Sequence, residues 1–227
     1  MLTSDPNNAD AVVAEIVARI RQLPDLSVQP VRAVRRQFTR HIAKADAEVI
    51  VKIARRLLAR DGFHYRFVAY ELISHHRKAL QSLRKAELLQ LADKLDSWAA
   101  VDTFALYLAG PCWRESQVRD SVIEAWAKSK DRWWRRTALV CTVALNCKAR
   151  GGSGDTKRTL KVCRMLVSDR DDMVVKAQSW ALRELGRRDR EAVRRFLADH
   201  EDALASRVLR EVRNKLTTGL KNPRKKS

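Results

Sequence analysis

Helix-breaking residues are scarce in this chain, and their scarcity sets the fold class. Only seven glycines and five prolines occur among 227 residues. Apolar residues recur at spacings of three and four from end to end, which lines them up along one stripe of a helix. The strict alternation of a half-buried strand is missing. The sequence therefore predicts an all-α protein, with helices over 9–23, 29–42, 46–60, 64–79, 85–96, 98–109, 116–128, 131–148, 156–168, 171–186, 189–199 and 203–217.

Punctuation between these stretches is ordinary. Pro24 and Pro30 flank the first connection, and Asp61-Gly62, Gly110-Pro111 and Gly186 are read as helix ends. Gly151-Gly152-Ser153-Gly154 reads as the most flexible point, with Asp155 capping the next helix. The helices fall into short-looped pairs of HEAT-like length. Stacked pairs make a right-handed α-solenoid, and the expectation is a basic concave face. No long linker interrupts the chain, so residues 1–217 read as a single domain and 218–227 as a basic, unstructured tail.

The charge balance narrows the partner. There are 46 Lys+Arg against 27 Asp+Glu, a formal net charge of +19. Such an excess points to a polyanion, because cationic side chains displace condensed counterions from phosphate. A basic concave face suits a duplex. No signal-peptide pattern opens the chain and no apolar run is long enough to span a bilayer, so a soluble, cytoplasmic monomer is expected. Cys112, Cys141, Cys147 and Cys163 show neither CxxC spacing nor a histidine pair, so no metal is expected and the thiols read as reduced and buried. Serine-hydrolase, Walker A and dinucleotide-binding signatures are absent.

Three aromatic stations stand out. In DSWAAVDTFALYL, Trp98 and Asp102 lie four apart and share a helix face with apolar neighbours. An aspartate there needs a partner or a task, since a buried, unpaired carboxylate is costly. In DRWWRRTALV, Trp133 and Arg136 lie three apart, with Arg135 beside them. In VVKAQSWALRELG, Lys176, Trp180 and Glu184 share another face. A carboxylate, several indoles and an arginine suit a cationic, sugar-like ligand attached to phosphate. Each also has a plainer reading: Asp102 as an ion-pair partner, the tryptophans as core, Arg136 as a surface charge. Trp126 reads as core and Trp113 as a loop-packing residue. The clusters Arg32, Arg35, Arg36, Arg40 and Arg55, Arg56, Arg60 read mainly as solvated faces, with some members on phosphate.

Taken in order and spacing, the three stations resemble the AlkD-like DNA alkylation repair glycosylases, all-α proteins of HEAT-like repeats. The resemblance runs from about Leu26 to about Asn214. It implies hydrolysis of the N-glycosidic bond of cationic N3- and N7-alkylated purines in duplex DNA, without flipping the base into a pocket and without cofactor or metal. By that resemblance Asp102 is the catalytic carboxylate, Trp98 the tryptophan one turn before it, Arg136 the arginine of the W-x-x-R segment and Trp180 the tryptophan of the K-A-x-x-W motif. Arg135, Trp133 and Lys176 are candidate contacts to the DNA backbone. Gln178 and Ser179 depart from the family's form of that motif. A further helix that family members often carry after the first one is missing here.

Two other functions fit the charge and the helices: a non-catalytic, structure-selective DNA-binding HEAT-repeat protein, and a peptide-binding HEAT scaffold. Asp102 with its tryptophans favours the enzyme, and the cationic excess disfavours the scaffold. At this level Asp102→Asn is expected to keep or raise thermal stability if the carboxylate is poorly solvated, and to lower the melting temperature if Asp102 is an ion-pair partner. Duplex affinity is expected to fall steeply with salt, since several phosphates are neutralised. A binding isotherm measured from low to physiological salt checks this, and a flat dependence contradicts it.

Overall fold

The structure, a computed structural model, describes residues 2–223. These are helical throughout, with no strand among the described residues. They group into two compact units, the first running to Lys94 and the second beginning at Leu95.

The first unit contains α1 (Ala9–Arg21), α2 (Val28–His41), α3 (Ala47–Leu58), α4 (Phe63–Ser74), α5 (Arg77–Ser82) and α6 (Lys85–Leu91). Helix α1 packs on α2 and α3, and α4 on α2 and α3. Ile16, Ile20, Phe38, Ile50, Ile53 and Leu57 fill the space between them. The helix expected over 64–79 divides at His75 and His76. His76 Nδ1 accepts the Ala79 N–H at 3.1 Å, so the histidine caps a new helix. One carboxylate, Glu71, is buried in this unit. Arg35 Nε donates to it at 2.7 Å, and Arg32 Nη2 at 2.9 Å. Unpaired, such a charge would cost several kcal/mol. Two members of the first basic cluster are thus used inside the protein.

The second unit contains α7 (Trp98–Phe104), a wide π turn (Ala105–Ala109), α8 (Gly110–Arg114), α9 (Asp120–Ala127), α10 (Arg132–Asn146), a 3₁₀ turn (Lys148–Arg150), α11 (Thr156–Met165), α12 (Asp172–Leu185), α13 (Arg190–Asp199) and α14 (Ser206–Thr218). Helix α10 is its axis. It packs against α7, the π turn, α8, α9, α11 and α12, and α12 carries α14. Every residue of α10 from Arg136 to Asn146 is buried. The apolar run TALVCTVAL therefore lacks a polar face because no side of this helix meets water. Its polar groups are satisfied locally: Thr142 Oγ1 donates to Leu139 O at 2.6 Å and Asn146 Nδ2 to Thr159 Oγ1 at 2.8 Å.

Gly110-Pro111 does not end a helix. From Trp98 to Arg114 the chain is one continuous helix, widened at its centre. Pro111 has no N–H, and its ring would press on the carbonyl four residues back. The wide turn opens the backbone there, and the Gly110 N–H donates to Ala105 O, five residues back. Trp113 consequently lies in a helix and not in a loop. It is buried, its Nε1 donates to Asp120 Oδ1 at 2.7 Å, and the Arg158 guanidinium lies over its ring, 4.9 Å from the centroid. Of the expected tail, residues 218–223 are described: Thr218 closes α14, and Lys221 Nζ lies 3.3 Å from Glu211 Oε1. The rest of that segment, 224–227, lies outside the described residues.

Gly110 also lets α8 approach α10. A Cβ there would stand 2.5 Å from the Ala144 Cβ and 2.8 Å from Ala105 O. In an open helix Gly→Ala gains about 1 kcal/mol, but overpacking against fixed backbone costs about 1–3 kcal/mol. Gly110→Ala is therefore expected to lower stability by about 1–2 kcal/mol net, read as a lower urea midpoint. An unchanged or raised midpoint contradicts this packing account.

Candidate functional site

The site is built from the first turns of α7 and α10 and the start of α12. Ser97 caps α7, its Oγ accepting the Ala100 N–H at 3.4 Å, and this fixes the turn that carries Trp98. Asp131 caps α10 in the same way, accepting from Trp133 N at 2.8 Å. These caps set the registers in which Asp102 and Arg136 face each other.

Asp102 and Arg136 form a two-pronged ion pair. Arg136 Nε donates to Asp102 Oδ1 at 2.8 Å, and Nη2 to Oδ2 at 2.7 Å. The remaining arm, Nη1, donates to the Met173 carbonyl at 2.5 Å. The arginine side chain is 7% exposed and the aspartate 14%, so solvent reaches the carboxylate more than the guanidinium. The planar fork fixes the carboxylate in orientation as well as position. Burial pushes the Asp102 carboxyl above the ordinary carboxylate value, and the Arg136 hydrogen bonds and charge oppose that push without cancelling it. Both donor arms meet oxygens, which is the geometry of the ionised carboxylate.

Trp98, one turn before Asp102, is 59% exposed, and its indole makes no ring stack or hydrogen bond with another described residue. A large indole left in water beside a gripped carboxylate is the most conspicuous surface feature of this unit. Trp180 is half-buried on α12. Met173, whose carbonyl holds Arg136, lies seven residues before it, about 10 Å along the helix. The structure thus joins Asp102 to Arg136 directly, and ties Arg136 to the helix that carries Trp180. Trp134 lies against Trp126, ring centroids 4.9 Å apart, while Trp133 carries the Arg132 guanidinium 5.0 Å from its ring.

The other candidates divide by their partners. Arg135 is committed within the protein: its Nε donates to Asp169 Oδ2 at 2.7 Å and its Nη1 to the Lys130 carbonyl at 2.8 Å. It fastens the turn before α10 to the segment before α12. Lys176 is exposed and pairs with Asp172 at 2.7 Å. Ser179 Oγ donates to the buried Glu211 at 2.6 Å, and Gln178 Nε2 to Cys163 O at 3.0 Å. These two departures from the motif are therefore packing residues between α12 and its neighbours. Among the described residues Gln178 Oε1 is buried without a partner.

Of the two stability outcomes expected for Asp102→Asn, the ion pair with Arg136 favours the loss. The Arg136 guanidinium is buried and depends on the carboxylate charge, so removing it strands a cation. Breaking a buried pair costs about 3–5 kcal/mol, more than is regained by not desolvating the carboxylate. Sequence spacing could not reveal the third contact, because the Met173 acceptor is a backbone carbonyl and carries no residue signature.

No helix among the described residues is long and apolar enough to cross a membrane. No curated protein matches the chain. The family model described as DNA alkylation repair enzyme matches residues 5–216, almost the whole sequence and all of the site just described. The chain belongs to the DNA alkylation repair enzyme family.

Proposed function

We propose that the protein is a monofunctional DNA glycosylase that hydrolyses the N-glycosidic bond of cationic N3- and N7-alkylpurines in duplex DNA, opening base excision repair without metal or cofactor. The observation that carries this reading is the Asp102 carboxylate, fixed by Arg136 one helical turn from the exposed Trp98. An alkylated purine already bears positive charge and leaves as a neutral base when the bond electrons go with it. The sugar becomes oxocarbenium-like, water adds at C1′, and one proton is lost. The protein needs a negative charge near C1′ and room for the water, and no strong general acid. An ionised carboxylate held in one orientation meets the first need, and indole faces favour a cationic sugar.

In this reading Asp102 is the catalytic residue. Trp98 and Trp180 contact the lesion-bearing strand, and the base is not flipped into a pocket. Arg136 acts on the substrate through the carboxylate it orients. Lys176 and Trp133, with the exposed Arg132, meet the DNA backbone. Arg135 joins them only by giving up its Asp169 contact. The reading treats residues 1–217 as one functional domain, with the helix pairs as HEAT-like repeats of a right-handed solenoid. A second reading, a non-catalytic DNA-binding protein, draws on the same ion pair, because a two-pronged Asp–Arg contact also serves simply to join α7 to α10.

Asp102→Asn separates the two. If the carboxylate stabilises the developing sugar cation, single-turnover excision falls by about 10²-fold or more, roughly 3 kcal/mol of transition-state stabilisation. Duplex affinity stays within a few-fold. The melting temperature falls in either case, because Arg136 loses its counter-charge, so excision is measured well below it. Excision unchanged in the folded variant removes Asp102 from the chemistry and leaves the binding reading.

A further inference from the structure

A cavity of about 640 Å³ opens in the first unit, wholly among residues of that unit. Its walls come from the last turn of α1, the connection that follows, the end of α3 and the first turn of α4. Arg21, Arg60 and His64 line it, with Leu23 and Leu26 opposite in chemistry and Asp61 as the one carboxylate. Between the lining residues Asp61 and His64 the chain turns sharply at Gly62, whose φ is +114°. The His64 ring lies where a side chain at Gly62 would stand, 2.5 Å from a Cβ placed there, and packs against Tyr65 with ring centroids 4.1 Å apart. The imidazole is therefore held against the wall. Burial lowers its pKa, so at neutral pH it offers one N–H without a charge.

The cations distinguish this cavity from the others. Arg32, Arg35, Arg135, Arg136, Arg158 and Arg188 are all spent on protein acceptors. Arg21 and Arg60 make no side-chain hydrogen bond or ion pair with any described residue, and Asp61 on the same wall is beyond salt-bridge distance of both. A second cavity, near α3, balances Lys52 and Arg55 with Glu48 and Glu87. A third, beside Cys147, has Arg187 paired with Glu184 and Arg188 bonded to Asn146 O. Only the first of these three keeps two guanidiniums uncommitted. The first turn of α4, which no side chain caps, contributes His64 and Tyr65 to the lining. Leu26, 52% exposed, supplies apolar surface of the kind a sugar covers.

We propose that this cavity is a second nucleic-acid contact, in which Arg21, Arg60 and His64 hold one backbone phosphate of the duplex while Leu23 and Leu26 cover its sugar. The inference rests on the duplex-binding part of the function proposed above. It assigns the first unit a gripping role separate from the chemistry of the second.

The test is duplex affinity measured over a salt series for the wild type, for Arg21→Gln/Arg60→Gln, and for Lys44→Gln/Lys78→Gln. The last pair removes the same charge from exposed positions of the same unit outside the cavity. The arginine variant is expected to bind about ten-fold more weakly near physiological salt, with a log–log salt slope smaller by about 0.9, the value for one lost phosphate contact. The lysine variant is expected to change both much less. The His64 ring-proton resonance of the wild type should shift on adding duplex and not in the arginine variant. Equal effects of the two pairs, or a His64 resonance that moves with inorganic phosphate but not with duplex, overturns the cavity while leaving the glycosylase reading in place. A wild type that fails to bind duplex overturns both.

Discussion

Everything in the site depends on the contact between Asp102 and Arg136. Neither residue is comfortable alone: the arginine is nearly sealed from water, and burial raises the carboxyl's pKa. Together they satisfy each other, and the third arm of the arginine reaches Met173 O. One guanidinium therefore ties α7, α10 and α12 at a single point. A carboxylate held this way cannot rotate or retreat, and the function proposed above relies on that to stabilise a short-lived cation. The pair also makes the site expensive to alter, because deleting either member leaves the other charged and buried.

The rest of the charge is divided between support and reach. A net charge of +19 suggests a surface covered in free cations, yet many arginines are committed to partners within the protein. Arg32 and Arg35 neutralise Glu71, Arg56 pairs with Asp10, Arg135 fastens two connections, and Arg158 covers Trp113. Arginine suits this work because its planar fork meets several acceptors at once and is weakly hydrated. What remains for a polyanion is a smaller set, including Arg21 and Arg60. Membership of a DNA alkylation repair family gives that set a natural counterpart.

Much of this was legible in the sequence, for physical reasons. Helix content follows from apolar spacing and the lack of Gly and Pro, and α10 and α12 lie within two residues of their expected limits. Asp102 and Trp98 were found because an acid on an apolar face needs an explanation. Three features were hidden. Gly110-Pro111 reads locally as a stop, but packing of Gly110 against Ala144 favours a widened helix that runs through it. The break at His76 depends on a histidine acting as a cap, an unusual choice. Arg136 reads from the sequence as a site residue able to meet phosphate, but its pairing with Asp102 does not, because no spacing rule links positions 34 residues apart or points to a main-chain acceptor.

The central claim is that this fixed carboxylate serves bond cleavage and not only the fold. The most direct measurement is chromatographic detection of free 7-methylguanine and 3-methyladenine released from methylated duplex DNA by the purified protein, against a protein-free control. The account predicts release well above the spontaneous rate, in proportion to enzyme, with abasic sites formed one for one and no strand cleavage by the protein. Release no faster than in the control, by folded protein that binds the duplex, would contradict it.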